Sequence, residues 1–238
     1  MPVIQYETQG AIAVITLDNS ENRQNPDFAA GLLDALDQAE DNSAVKAVVI
    51  TSSDEKNWSQ GIDLAWLMQA RQDQKTDEIK RFMLDMNTVF ARLLTAPFPI
   101  IAAITGHAFG NGAMLASCCD FRFMRSDRGY LCFPEVDINI PFLPSMIAYN
   151  RKAIPEPLLN DMMLSGRRVA ASELEQYRVV TAALPDAQAT FDAAMEYAGQ
   201  FKKGRKIFQA QKRRMHGHIL SIMDTKDKPL FENLELTV

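Results

Sequence analysis

The chain has 238 residues, with 47% hydrophobic and 23% charged residues, the mixture of an ordinary globular protein of one large domain or one domain with an appendage. A formal net charge of −5 argues against nucleic acid as a partner, and no run of about 18 apolar residues is present to span a membrane. Cys118, Cys119 and Cys132 lack both a disulfide framework and zinc-site spacing, so they read as small buried filler in a reducing compartment.

In chain order, "IQYETQG AIAVITL" predicts two strands joined at Gln9-Gly10. "NPDFAAGLLDALDQAEDN" predicts a helix with Asn25 as N-cap, Pro26 at its first position, and Phe28, Leu32, Leu36 and Ala39 on one face. "VKAVVITS" reads as a buried strand, followed by a loop, "SDEKNWSQGID". A long helix is expected over Thr76–Leu94, with Ile79, Phe82, Met86, Phe90 and Leu93 as its apolar stripe. Pro97 and Pro99 end it and launch the strand "IIAAI"; "DFRFM" is the next strand.

This alternation of strand and helix predicts an α/β fold with parallel pairing. Helix dominates from Pro155 onward. Ser172 with Glu175 forms a capping-box pattern opening a short helix, and "RVVTAAL" contains a last strand. Two further helices finish the chain, and a change in composition divides it into a core, 1–195, and a helical region, 196–238. The N-terminal "MPVIQYETQG" has no leader pattern and the closing "LELTV" is not a peroxisomal address, so the expected location is cytoplasmic.

Two segments share one design, a strand, a loop containing glycine, and the start of a helix: "VVITSSDEKNWSQGIDLAWL" and "IIAAITGHAFGNGAMLAS". A helix start offers unpaired N–H groups and attracts an oxygen carrying negative charge. Gly61, Gly110 and Gly112 permit close backbone approach, and the N–H groups of Ile62 and Asn111 are candidates for an oxyanion hole. The plain alternative for each glycine is a tight turn made for packing. Glu135 stands in an apolar stretch, "YLCFPEVDINIPF", where burial would raise its pKa toward neutrality and fit it for moving protons. Its plain alternative is a surface or ion-paired carboxylate. Asp137 is expected on the opposite side of an extended segment, with a structural role.

His107 reads better as a backbone hydrogen-bond partner than as a base; Trp58 and Trp66 suit a cleft wall and simple packing equally. The run "KKGRKIFQAQKRR", with seven basic residues, is either a solvated helix face or a site for phosphate-bearing ligands. No residue spacing suggests a metal, and no serine sits in a nucleophile elbow.

With its N-terminal hairpin, "NP" at the first helix, "SQGIDL", "GHAFGNGAMLA", "MRSDRGYL" and "PEVDI" in this order, the chain resembles the crotonase (enoyl-CoA hydratase/isomerase) superfamily over nearly its whole length. It looks most like the monofunctional Δ3,Δ2-enoyl-CoA isomerases. The resemblance implies a spiral of ββα units with a C-terminal helical region for trimerisation, and hence a homotrimer or dimer of trimers. It also implies an acyl-CoA thioester as ligand, CoA arriving with the substrate and no other cofactor. Ser59, Gly61, Asp63, Leu64, Gly110, Gly112, Met114 and Phe142 become expected substrate contacts.

Hydratases of the superfamily carry glutamates at the positions of Met114 and Glu135, and the pair activates a water. Here the first is a thioether, which is no base near neutral pH. One remaining carboxylate suffices to move a proton from C2 to C4, so the resemblance points to isomerisation; hydration and a non-catalytic acyl-CoA-binding role are the alternatives. Two departures stand out. Asn111 occupies a position where hydratases usually have glycine, and "DNSENRQNP" differs from the usual opening of the first helix.

Overall fold

The computed structural model describes residues 2–233 and shows a mixed α/β architecture. The expected hairpin forms β1 (Ile4–Gln9) and β2 (Ile12–Leu17), paired antiparallel from Ile4 opposite Leu17 to Gln9 opposite Ile12. The turn therefore falls on Gly10-Ala11, one residue later than expected, with Gly10 at φ +62°, where glycine is favoured. After a two-residue strand, β3 (Arg23–Gln24), comes α1 (Pro26–Asp41). Asn25 caps it by accepting from Phe28 N at 3.0 Å, and the Phe28, Leu32, Leu36 and Ala39 face is fully buried.

From there the chain repeats one unit, a strand in a large sheet, a short strand in a small one, then a helical turn. β4 (Ala47–Ser52) is followed by β5 (Asn57–Ser59), β6 (Gly61–Ile62), α2 (Leu64–Gln72) and α3 (Thr76–Thr95). β7 (Ile100–Ile104) leads to β8 (His107–Phe109) and α4 (Asn111–Cys118). β9 (Phe121–Arg125) leads to β10 (Leu131–Cys132) and a 3₁₀ turn at Pro134–Ile138. α5 (Pro144–Ala153), α6 (Glu156–Ser165) and α7 (Ala171–Gln176) precede β11 (Ala182–Leu184). The large sheet runs β1-β2-β4-β7-β9-β11, parallel except for its edge hairpin; β10-β8-β5 and β3-β6 are smaller parallel sheets. Parallel strands require crossovers, and the helices that supply them cover the sheet. Every residue of β7 is buried, as its unbroken apolar sequence requires.

Four further expectations change. The "SDEKNWSQGID" segment is not a plain loop but holds β5 and β6. Ser172 does not cap α7: the helix starts at Ala171, and Glu175 instead accepts from Ala183 N at 3.1 Å, fastening β11. The boundary at residue 195 falls inside α8 (Ala187–Ala198), whose Ala194 and Ala198 pack with Val49, Ile101 and Phe123 under the sheet. The helical tail begins with α9 (Arg205–Ile222) and passes through a π-helical turn, Met223–Asp227, into α10 (Lys228–Asn233).

The fourth concerns the basic run, part of which is structural. Lys212 is buried, with its ammonium donating to Asp120 Oδ2 (2.5 Å), Leu93 O (2.9 Å) and Phe98 O (3.3 Å), so all three donors are satisfied. Arg205 donates to Asn42 O and Glu40 O. These contacts fix the tail against the core. "LELTV" lies outside the described residues, and no described helix is long and apolar enough to cross a membrane.

Candidate active site

Glycine decides the site's geometry. Gly61, at φ +76°, brings β6 against the start of α4 so closely that a methyl group on it would lie 2.7 Å from Phe109 O and 3.0 Å from Asn111 N. A methyl group on Gly112 would lie 2.3 Å from Ser59 O. Only hydrogen at both positions lets β5 and β6 run alongside the first turn of α4. Asp63 N donates to Gln24 O at 2.9 Å, so strand alternation turns the preceding Ile62 N–H to the other edge of β6. Asn111 is the first residue of α4, and its N–H has no place in the intrahelical ladder. Gly110, at φ +51°, is the N-cap, and its own N–H donates to Cys132 O at 3.0 Å, tying α4 to β10 and to the turn beyond.

That turn carries Glu135. The expected extended segment is a 3₁₀ turn, opened by Pro134 at its first position and closed by Asn139 in the left-handed region at φ +56°. Glu135 points inward at 8% exposure while Asp137 is exposed, so their separation survives for a different geometric reason. Glu135 Oε1 lies 3.2 Å from where a methyl group on Gly110 would be, and Oε2 has no hydrogen-bond partner among the described residues. Burial raises its pKa to about 7, opposed only in part by a hydrogen bond from its own backbone N–H.

These groups share a cavity of about 180 Å³, lined by Gly61, Ile62, Leu64, Gly110, Asn111, Met114 and Glu135 of the expected residues. Met114 is buried, and its sulfur accepts from the Tyr149 hydroxyl at 3.4 Å. Four expected contacts fall outside the lining. Ser59 is buried behind it, accepting from Gly61 N; Asp63 caps α2 through Trp66 N (3.0 Å); Gly112 gives β5 room; Phe142 packs edge-on against Phe133. Short spacing from a motif cannot tell a lining residue from one that supports the lining.

Sequence reading missed Arg23, Gln60, Ile140 and Met146 in the wall, and Gln24 behind it. Arg23 and Gln24 lie in the divergent opening of the first helix, which was the available signal. His107 accepts from Tyr130 N at 3.2 Å through Nδ1, the structural role expected. Trp58 is wholly buried and Trp66 packs on Phe82 with ring centroids 4.9 Å apart; neither lines the cavity. Among the described residues, no three His, Cys, Asp or Glu side chains gather as metal ligands.

Strands spiralling between one large sheet and two small ones, with two glycine-opened backbone turns facing one buried carboxylate, define the crotonase class of enzymes. The enoyl-CoA hydratase/isomerase family pattern matches residues 7–228, and the chain belongs to that family. It is 34% identical over 185 residues to enoyl-CoA delta isomerase 3 of Arabidopsis thaliana, covering 76% of each chain. It is likewise 34% identical over 194 residues to a putative enoyl-CoA hydratase of Thermus thermophilus, covering 80% of this chain and 74% of the relative. An enoyl-CoA hydratase/isomerase family protein from Pseudomonas syringae has the same fold, with a TM-score of 0.87 at 22% identity over 97% of both chains.

Proposed function

We propose that the protein is a Δ3,Δ2-enoyl-CoA isomerase, moving the double bond of a 3-enoyl-CoA into conjugation as trans-2-enoyl-CoA. The observation that carries this reading is the single carboxylate. Glu135 lines the cavity with an oxygen that has no partner among the described residues, and the position that holds the second acid in hydratases is occupied by a thioether engaged with Tyr149. In this reading the thioester oxygen accepts from Ile62 N–H and Asn111 N–H. Glu135 takes a proton from C2, the electron pair spreads over the dienolate to that oxygen, and the same carboxyl returns the proton at C4. A pKa near 7 suits both halves of the transfer. No metal or redox group has a part in these steps, and CoA is carried by the substrate.

The test is a matched assay of 3-enoyl-CoA isomerisation and 2-enoyl-CoA hydration on wild type and Met114→Glu. Wild type is expected to isomerise far faster than it hydrates. Met114→Glu is expected to gain low but measurable hydration, because two carboxylates then face one water, and to lose isomerase activity through the altered charge beside Glu135. The gain stays small: a second buried carboxyl next to Glu135 raises one of the two pKa values further, and the Tyr149 hydroxyl loses its sulfur partner. Wild-type hydration matching isomerisation would sink the assignment.

We further infer a homotrimer or dimer of trimers in a reducing, cytoplasmic setting. Support comes from exposed apolar side chains on α9, Ile207 and Met215, and from three free, buried cysteines. Light scattering at micromolar concentration should give a mass of at least three chains; a stable monomer refutes the assembly.

A further inference from the structure

The two departures from the hydratase pattern touch each other. Asn111 and Gln24 are 87 positions apart in sequence, both buried, and Asn111 Nδ2 donates to Gln24 Oε1 at 2.6 Å. The direction of this bond follows from a chain of donors behind it. The Ser59 hydroxyl has one proton, donated to Asn22 O at 2.7 Å, so toward Gln24 it can only accept. The Gln24 group that faces it at 3.2 Å is therefore the amide nitrogen. Its Oε1 is thereby turned to Asn111, which must answer with its own amide nitrogen. Ser59 Oγ also receives Gly61 N–H at 3.2 Å.

Gln24 thus grips both halves of the proposed oxyanion hole. Its main chain pairs with Ile62 and accepts from Asp63 N at 2.9 Å, which holds the strand bearing the first donor. Its side chain holds the first residue of α4, which bears the second. Around it, Gly61 and Gly112 contribute close main-chain approach and no side chain, so the Gln24–Asn111 pair is the polar side-chain link between the two loops. That bond resists slipping, because a slip leaves Gln24 Oε1 and Asn111 Nδ2 unpaired away from water, where Asn111 Oδ1 already has no partner among the described residues.

We propose that Gln24 is a positioning residue for the isomerase reaction, setting the separation and angle of the Ile62 and Asn111 N–H donors through a Gln24–Asn111 clamp. The proposal rests on the oxyanion-hole reading above. It gives the asparagine a purpose: the side chain is the handle by which α4 is held, while its backbone does the chemistry.

The experiment compares wild type, Gln24→Leu, Asn111→Gly and the double variant. Two readouts are used: isomerase kinetics, and the infrared carbonyl stretch of bound ¹³C-labelled butanoyl-CoA, which reports polarisation of the thioester without turnover. Because misplacing a reacting group by about 1 Å costs on the order of 100-fold, Gln24→Leu should lower kcat by about 10- to 100-fold. KM should change little, and the carbonyl frequency should move back toward its value in water. The double variant should lose no more than the worse single variant, since the two side chains form one contact. Where Gln24→Leu does not fold, Asn111→Gly reads the same clamp from its other end with the backbone N–H kept. A wild-type carbonyl shift unchanged in both single variants overturns the clamp, as does multiplication of the two losses in the double variant. A wild-type protein that binds butanoyl-CoA without shifting its carbonyl overturns the oxyanion hole beneath it.

Discussion

Glu135→Gln is expected to lower isomerase kcat by about 10²–10⁴, the usual worth of general acid–base catalysis, with acyl-CoA affinity retained. Glutamine keeps the shape and loses the proton chemistry, so steady-state kinetics and a direct binding titration separate the two effects. A loss below tenfold removes Glu135 from the mechanism. The wild-type pH profile carries the same signature: kcat/KM should rise with pH through about 7 and then level, as the carboxylate forms.

The substitution should also stabilise the protein in alkaline solution. Glu135 holds its proton to about pH 7 when folded but only to about 4.5 when unfolded, so the folded state binds more protons between these values. Stability therefore falls as pH rises from 4.5 through 7 and stays lower above that window. At pH 8 the buried charge costs on the order of 3 kcal/mol, which glutamine does not incur. Denaturant unfolding of both proteins at pH 5 and pH 8 measures this. Equal pH dependence in the two would mean the Glu135 carboxyl is not desolvated in the fold.

Gly61→Ala is expected to cost at least as much as losing one oxyanion donor, about 10²–10³ in kcat. The added methyl meets two main-chain atoms, Phe109 O at 2.7 Å and Asn111 N at 3.0 Å, and neither can swing aside as a side chain would. At φ +76° the alanine is also strained whatever room it finds. The relief available is for α4 to move off β6, which separates the two N–H groups. The protein should melt earlier as well, so activity is to be measured well below its transition. Unchanged kcat in a folded Gly61→Ala protein would show that the two loops do not act together.

The contrast between these positions shows how much of the site is local. Gly61 and Gly112 are conspicuous in sequence because close main-chain approach admits no side chain, Gly110 because its φ of +51° favours glycine, and Met114 excludes a second acid by its chemistry alone. Glu135 is different. Its apolar neighbours point to burial, but its raised pKa depends on desolvation in a cavity shared with Ile62 and α4, which lie outside its own stretch. Ser59, Asp63 and Phe142 sit in or near the right motifs yet do not line the cavity, because Ser59 and Asp63 are engaged with main-chain N–H groups and Phe142 with Phe133. Gln24 is the extreme case: its partner lies 87 residues away.

The amino-acid sequence by itself determined the α/β class, the capped α1 with its buried face, the α3 stripe and the apolar strands. Each of these is written in a local period or a cap that acts over a few residues. Only the tertiary structure decided that Ser172 caps nothing, that Lys212 of the basic run is buried against Asp120, and that α8 belongs under the sheet. The physical reason is that packing partners meet only after the chain has closed on itself. Asp120 and Lys212 are 92 positions apart, α8 is buried by strands far upstream, and Glu175 answers to β11, beyond its own helix, and not to the cap pattern.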